Sequence, residues 1–299
     1  MHGLNLSRLG LMVGILSISI CYPLLAQTSW KAQHCQRLAT ETEPAGPQVV
    51  INNTVLDGAT DVPEPVWNRI VSQTKGKTFS GDAWLDQVRD VSLLVGLQNQ
   101  GYYKAEVAVE PELVSSSPTL QHVVLHARVR GGTQFSLSGV QFRSSDPQLH
   151  LAFSTEELRP LIPLQDGDVF SLQKVREGLE ALYSYYSSRG YHNCVAVPET
   201  DFDEIHQQIT LILSLQEGLQ YRVGTIDIVG LNPALESELR SKIKTGDILN
   251  SQLIDDFYLD HKSELPEEVL PAETAFHDNV KERTADLLFD FRSCSQLQN

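Results

Sequence analysis

Across residues 171–216 the spacing of apolar positions changes period once, and that change predicts a small folded module. In SLQKVREGLEALYSYYSSRG, Val175, Leu179, Leu182, Tyr183 and Tyr186 recur every three or four residues. Such spacing lays an apolar stripe along one face of a helix. By the same spacing Tyr183 and Tyr186 belong to the core and Tyr185 lies outside it. Gly190 follows where a left-handed helix end is needed, a conformation glycine adopts without a side-chain clash. Beyond it the period drops to two, with Ile209, Leu211, Leu213 and Leu215 alternating with Thr210, Ile212, Ser214 and Gln216. The runs HNCVAV and HQQITLILSLQEG read as a hairpin separated by the acidic turn PETDFDE.

The same order recurs, which predicts three successive modules over 48–131, 133–218 and 220–294. The middle one is the clearest: strand FSLSGVQFR, short helix STEELRPLI, a Gly-Asp turn ending at Phe170, long helix, Gly-Tyr turn, hairpin. Ser154 and Glu157 form a capping-box pattern. In the first module VVINNTVLDG is the strand and PEPVWNRIVSQ the short helix, with Pro65 near its first turn. KGKTF matches QDGDVF, and a second helix carries Trp84, Val88, Val91 and Val95 at helical spacing. NQGYYKAEVAVEP then matches SRGYHNCVAVPET, and HVVLHARVRGG places Val123, Leu125, Ala127 and Val129 on one face. The third module reads YRVGTIDIVGL, PALESELRSKI, KTGDIL, LNSQLIDDFYLDHK and DLLFDFR, the last with Leu287, Phe289 and Phe291 alternating. It lacks the Gly-Tyr turn. SELPEEVLPAETAFHDN stands there instead, either as a degenerate copy or as an irregular first hairpin strand.

A three-stranded sheet with two helices on one face buries only one side, so each module keeps an exposed sheet edge. The junctions Gly131-Gly132 and Glu217-Gly218 are short, which predicts a string with limited bending. At 299 residues and 41% hydrophobic content the chain has room for several small domains. Its formal charge of -15 argues against nucleic acid, because no basic surface displaces phosphate counterions.

Residues 1–26 read as a secretory signal, with Arg8 at the basic end, LGLMVGILSISI as apolar core and Pro23-Leu24-Leu25-Ala26 as cleavage region. The alternative is an uncleaved anchor, although the apolar run is shorter than the ~20 residues a spanning helix needs. Lipid attachment at Cys21 is disfavoured by the bulky Ile20 before it. Residues 27–47 lack periodicity and read as a flexible tether, and 295–299 as a tail. Cleavage after Ala26 leaves Cys35, Cys194 and Cys294, which permits a Cys35–Cys294 staple or three unpaired thiols.

Little in the chain suggests chemistry. His34-Cys35 and His192/Cys194 are isolated pairs, whereas structural zinc needs about four converging ligands. His122 and His126 alternate with apolar residues on a strand and read as solvent-facing. Glu199, Asp201, Asp203 and Glu204 are carboxylates suited to calcium, but they lack the glycine and spacing of a calcium loop and read as a solvated turn. No serine is marked as an activated nucleophile. No catalytic residue, metal, cofactor or small-molecule substrate is expected.

The ordered elements Gly139, Glu157-Leu158-Arg159, Gly167-Asp168-Val169-Phe170, Leu182-Tyr183, Gly190-Tyr191 and Glu217-Gly218-Leu219-Gln220-Tyr221, leading into Gly224-Thr225-Ile226, resemble the polypeptide-transport-associated (POTRA) repeat. That repeat occurs in the periplasmic part of BamA- and TamA-type outer-membrane assembly factors and of two-partner secretion transporters. The resemblance is specific for 135–230 and supportive on either side. It implies an α+β fold of tandem βααββ domains, each a three-stranded mixed sheet under two helices, with the second strand at an edge. It also implies a non-catalytic scaffold or chaperone-like role in the periplasm, associated with the outer membrane. Partners would be an outer-membrane barrel, an unfolded outer-membrane protein or an assembly lipoprotein. An open edge satisfies the backbone groups of an incoming segment with little dependence on its sequence. The matched edge segments are Lys104, Ala105, Glu106, Val107, Ala108, Val109 and Glu110, and His192, Asn193, Cys194, Val195, Ala196 and Val197, with Pro198 blunting the end of the second. Relatives continue into a β-barrel, which needs many alternating ~10-residue strands. This sequence stops at Asn299 after the third module, so only the periplasmic half of the activity carries over. A spacer or oligomerisation protein of the cell envelope is the alternative, as is cover of the edges by a neighbouring module.

Overall fold

The structure, a computed structural model, describes Cys35, residues 48–266 and residues 274–296. The expected export signal and the tether apart from Cys35 lie outside the described residues, as do residues 267–273 of the Pro- and Glu-rich stretch of the third module.

Parallel strands need a long crossover, and the paired helices predicted in each module supply it. The first module runs β1 (Gln48–Leu56), α1 (Glu64–Ser72), β2 (Thr78–Phe79), α2 (84–98), β3 (Glu106–Ser116), β4 (Leu120–Arg130). The second runs β5 (Ser136–Ser144), α3 (Thr155–Leu158), α4 (Leu172–Ser187), β6 (Val195–Asp203), β7 (Gln208–Gln216). The third runs β8 (Arg222–Val229), α5 (Pro233–Lys242), α6 (Gln252–Asp260), β9 (Ala275–Asn279), β10 (Thr284–Asp290). The sheet orders are β2-β1-β4-β3, β5-β7-β6 and β8-β10-β9. In each, the first strand runs parallel to the last, and the first hairpin strand lies antiparallel at the outer edge. The two-residue strand β2 makes the first sheet four-stranded rather than three-stranded.

Each sheet buries its own alternating row: Val123, Leu125, Ala127 and Val129; Ile209, Leu211, Leu213 and Leu215; Ala285, Leu287, Phe289 and Phe291. The capping box forms, with Ser154 Oγ accepting from the Glu157 amide and Glu157 accepting from the Ser154 amide at 2.9 Å. Gly190 takes φ +89°, as its position requires.

A shared frame holds the first strand of every module. A register shift interrupts β1 between Ile51 and Asn53, β5 between Leu137 and Gly139, and the β8–β10 pair between Ala285 and Leu287. Next to each shift, the glycine of the following turn donates to the strand: Gly76 to Ile51 O at 2.8 Å, Gly167 to Leu137 O at 2.7 Å and Gly246 to Val223 O at 2.8 Å.

Three expectations need correction. The stripe in α2 is not Trp84, Val88, Val91 and Val95. Residues Gln87–Leu94 are π-helical, so the buried positions are Val88, Leu93 and Leu97, while Val91 is 68% exposed. The wider turn, with i→i+5 bonds, delays the return to the core face. Tyr183 is 47% exposed rather than core, whereas Tyr186 is fully buried and Tyr185 packs edge-on against Phe153 at 5.0 Å. PETDFD is not a turn: β6 continues through it to Asp203, and the reversal falls at Glu204–Gln207, with Gln207 at φ +57°. Asp203 shapes that reversal by accepting from the amides of Ile205 at 3.0 Å and His206 at 2.9 Å. Of the two alternatives for the cysteines, the one with three unpaired thiols does not hold. Cys35 and Cys294 are each disulfide-bonded, and Cys194 is a buried free thiol.

Candidate functional site

β3 and β6 each pair on one side only, with β4 and with β7. Both contain a proline, Pro111 opposite Leu125 and Pro198 opposite Leu213. Proline has no amide proton to donate and is confined to such edges, where it limits indiscriminate pairing. Pro198 therefore sits inside its strand, not at the end of it.

The outer face of the first hairpin is laced by cross-strand ion pairs, Glu106 with Arg130 and Glu110 with Arg128. His126 on β4 bridges β3 and the residue just after β1: its Nδ1 lies 3.1 Å from Asp57 and its Nε2 3.0 Å from Glu112. These hydrogen bonds, the one to Glu112 foremost, raise its pKa above the ordinary value. On β6, Glu199 accepts from Arg143 at 2.7 Å and from Ser214 at 2.9 Å. Arg143 and then Ser214 hold that carboxyl below the usual carboxylate range. A groove of about 450 Å³ lies between Asp57, Ala59 and the start of β3 at Glu106, Val107 and Ala108.

The matched edge segments divide between two places. Glu106, Val107, Ala108, Val109 and Glu110 lie in β3, and Val195, Ala196 and Val197 lie in β6, with Val195 and Val197 exposed. Lys104, Ala105, His192, Asn193 and Cys194 precede the strands. The Gly-Tyr turn has already turned most of them toward the following module.

That turn is a joint. Gly101 O accepts from the Phe135 amide, and Gly190 O from the Tyr221 amide, each at 2.9 Å. At the first joint, the Tyr103 ring packs on Phe170 at 5.5 Å and on Phe202 at 5.4 Å. Lys104 pairs with Glu204 and lies over the Phe202 ring at 4.4 Å. At the second, His192 stacks on Phe276 at 4.9 Å, and its Nε2 lies 3.0 Å from Asp278. Asn193 donates to the same carboxylate at 2.7 Å. Sequence reasoning missed this role, although the signal stood at matching positions: a left-handed glycine, then a ring and a hydrogen-bonding side chain.

Behind the second joint, Glu217 ties the module together. It accepts from Tyr186 Oη at 2.7 Å and from the Ala152 amide at 2.9 Å. Burial, then the charge of Glu217, pushes the Cys194 thiol up to about 12. Burial raises the Tyr186 phenol as well, with the Glu217 bond adding to it. Among the described residues no group of three or more His, Cys, Asp or Glu is arranged to hold a metal.

Residues 148–218 match the POTRA family model, described as a surface antigen variable number repeat. A Treponema pallidum (strain Nichols) protein, provisionally named an outer membrane protein assembly factor, is 28% identical over 163 residues. The match covers 51% of this chain and 18% of that protein, so the chain spans under a fifth of the relative's length. The crystal structure of Haemophilus influenzae BamA POTRA3-5 superposes with a TM-score of 0.60 at 19% identity, covering 85% of this chain and 100% of that one. No helix among the described residues is long and apolar enough to cross a membrane. By sequence match over 148–218 the middle module is similar to the POTRA repeat, and by fold the chain resembles the POTRA3-5 part of Haemophilus influenzae BamA.

Proposed function

We propose that this chain is a non-catalytic, protein-binding scaffold of the periplasm, associated with the outer membrane, built from three POTRA-like repeats over 48–131, 133–218 and 220–294. Its ligands are outer-membrane or secreted proteins, or assembly partners, and they bind by adding a strand to β3 or β6. The supporting observation is that each of these strands is paired on one side only. An incoming extended segment completes that ladder with its own amides and carbonyls, and side chains at alternate positions set preference. Of the matched residues, Glu106–Glu110 and Val195–Val197 are assigned to binding. Lys104, His192 and Asn193 are assigned to holding the repeats in line.

The test is a titration of the isotope-labelled chain with a synthetic strand from an outer-membrane barrel. Chemical-shift changes should concentrate in Glu106–Ser116 and Val195–Asp203. No change at saturating peptide, or changes spread over the helices instead, would leave the repeats as a spacer.

A further inference from the structure

The two edge strands assigned to binding differ in the charge their outer faces leave unanswered. On β3 the acids are paired within the first sheet: Glu106 with Arg130, Glu110 with Arg128 and Glu112 with His126. On β6 and its turn all but one are also engaged. Glu199 accepts from Arg143 and Ser214. Asp203 accepts from the turn amides and lies 2.6 Å from His206 Nδ1, and Glu204 pairs with Lys104. Asp201 is the exception. It is exposed and lies opposite Thr210, whose hydroxyl is 2.7 Å from that of Ser138. Among the described residues no hydrogen bond or ion pair reaches its carboxylate.

Register shows which backbone groups of β6 are open. Leu215 O accepts from the Ser145 amide on the β5 side at 2.8 Å. Backbone groups alternate in direction along a strand, so Thr210, Ile212, Ser214 and Gln216 turn theirs toward β6. They bond to the residues opposite them, Asp201, Glu199, Val197 and Val195. Ala196, Pro198 and Thr200 therefore turn their backbone groups outward. Pro198 falls at a position where its missing amide proton costs the existing ladder nothing.

The side chains alternate too. The outer face of β6 reads Val195, Val197, Glu199 and Asp201: two half-exposed valines, a neutralised acid and an unpaired one. A strand added alongside sets its own side chains opposite these, at the distance where cross-strand pairs interact. Opposite the valines an apolar side chain buries surface; opposite Asp201 a cation is attracted and a carboxylate repelled. We propose that β6 selects extended segments that carry Lys or Arg four residues from the nearer of two alternating apolar residues, with Asp201 as the selecting group. β3, its acids already paired, exerts no such selection. This selection rests on strand addition at β6 as proposed above.

Synthetic peptides titrated into the isotope-labelled full chain test it. One carries valine, valine, threonine and lysine at alternate positions, a second has that order reversed, and each has a control with glutamate in place of lysine. The better lysine peptide should shift resonances of Val195–Asp203 and bind about fivefold more tightly than its glutamate control at low salt. That ratio should fall toward one in Asp201→Asn, and also near 1 M salt, where charges are screened within about 3 Å. It should persist in Glu180→Gln, which alters an exposed acid on α4. Equal binding of lysine and glutamate peptides at β6, or a preference that survives Asp201→Asn, overturns the selection and leaves strand addition standing. No shift in Val195–Asp203 with any of the four peptides overturns strand addition at β6 and the selection with it.

Discussion

At the residue scale, individual groups report their surroundings through titration and reactivity. Cys194 is buried and its thiol pKa is pushed up to about 12, so at neutral pH it is almost wholly the unreactive protonated form. Alkylation by iodoacetamide at pH 8 should be slow in the native chain and become fast in denaturant; rapid native labelling would contradict this burial. His126 carries the opposite kind of information. Its folded pKa lies above the unfolded value of 6.5 through Glu112 and Asp57. A raised pKa stabilises the fold fully below 6.5, and that contribution is lost as pH rises through the folded value. The urea midpoint of the native chain relative to His126→Gln should therefore fall between pH 6 and pH 8.5. A difference that grows with pH would show that the imidazole is neutral in the bridge. The capping box at Ser154 and Glu157 was legible from residue types alone, because both partners lie within one turn.

At the scale of elements, local spacing predicts which face is apolar only while the backbone keeps its ordinary pitch. The stripe in α4 follows it at Val175, Leu182 and Tyr186. The stripe in α2 does not, because the π-helical stretch Gln87–Leu94 moves the buried position from Val91 to Leu93. Leu93→Ala should cost roughly 2–5 kcal/mol in chemical unfolding, the range for removing a fully buried leucine side chain. Val91→Ala should stay within about 0.5 kcal/mol, as surface changes do. Equal costs at both positions would restore the ordinary helix. The edge strands show the same limit. Val195–Val197 were placed correctly on β6, whereas the acidic run after Pro198 was read as a turn. Its Glu199 is instead held in the strand by Arg143 and Ser214, partners distant in sequence.

At the scale of the molecule, the glycine of each Gly-Tyr turn does two jobs. It ends a helix and lets the backbone approach the next module. Gly190→Ala would both strain φ +89° and crowd Tyr221 O, with a cost of about 1–3 kcal/mol. Hydrogen exchange should show the Tyr221 amide losing protection while Leu211 and Leu213 in β7 keep theirs. Uniform loss across the second module would mean that the glycine serves only its own helix. Gly101→Ala should act in the same way on Phe135.

What the sequence determined by itself was whatever repeats locally: period, cap, left-handed glycine, the alternation of each central strand, and the order of elements that marks the repeat. Those depend on neighbours a few residues away, and backbone geometry translates them directly into faces and turns. Only the tertiary structure decided where β6 begins, that Lys104, His192 and Asn193 belong to joints, and that Leu113 is exposed. Each of these depends on which surface an apolar or charged side chain meets across a gap in the chain. Periodicity names the face and is silent about what lies against it.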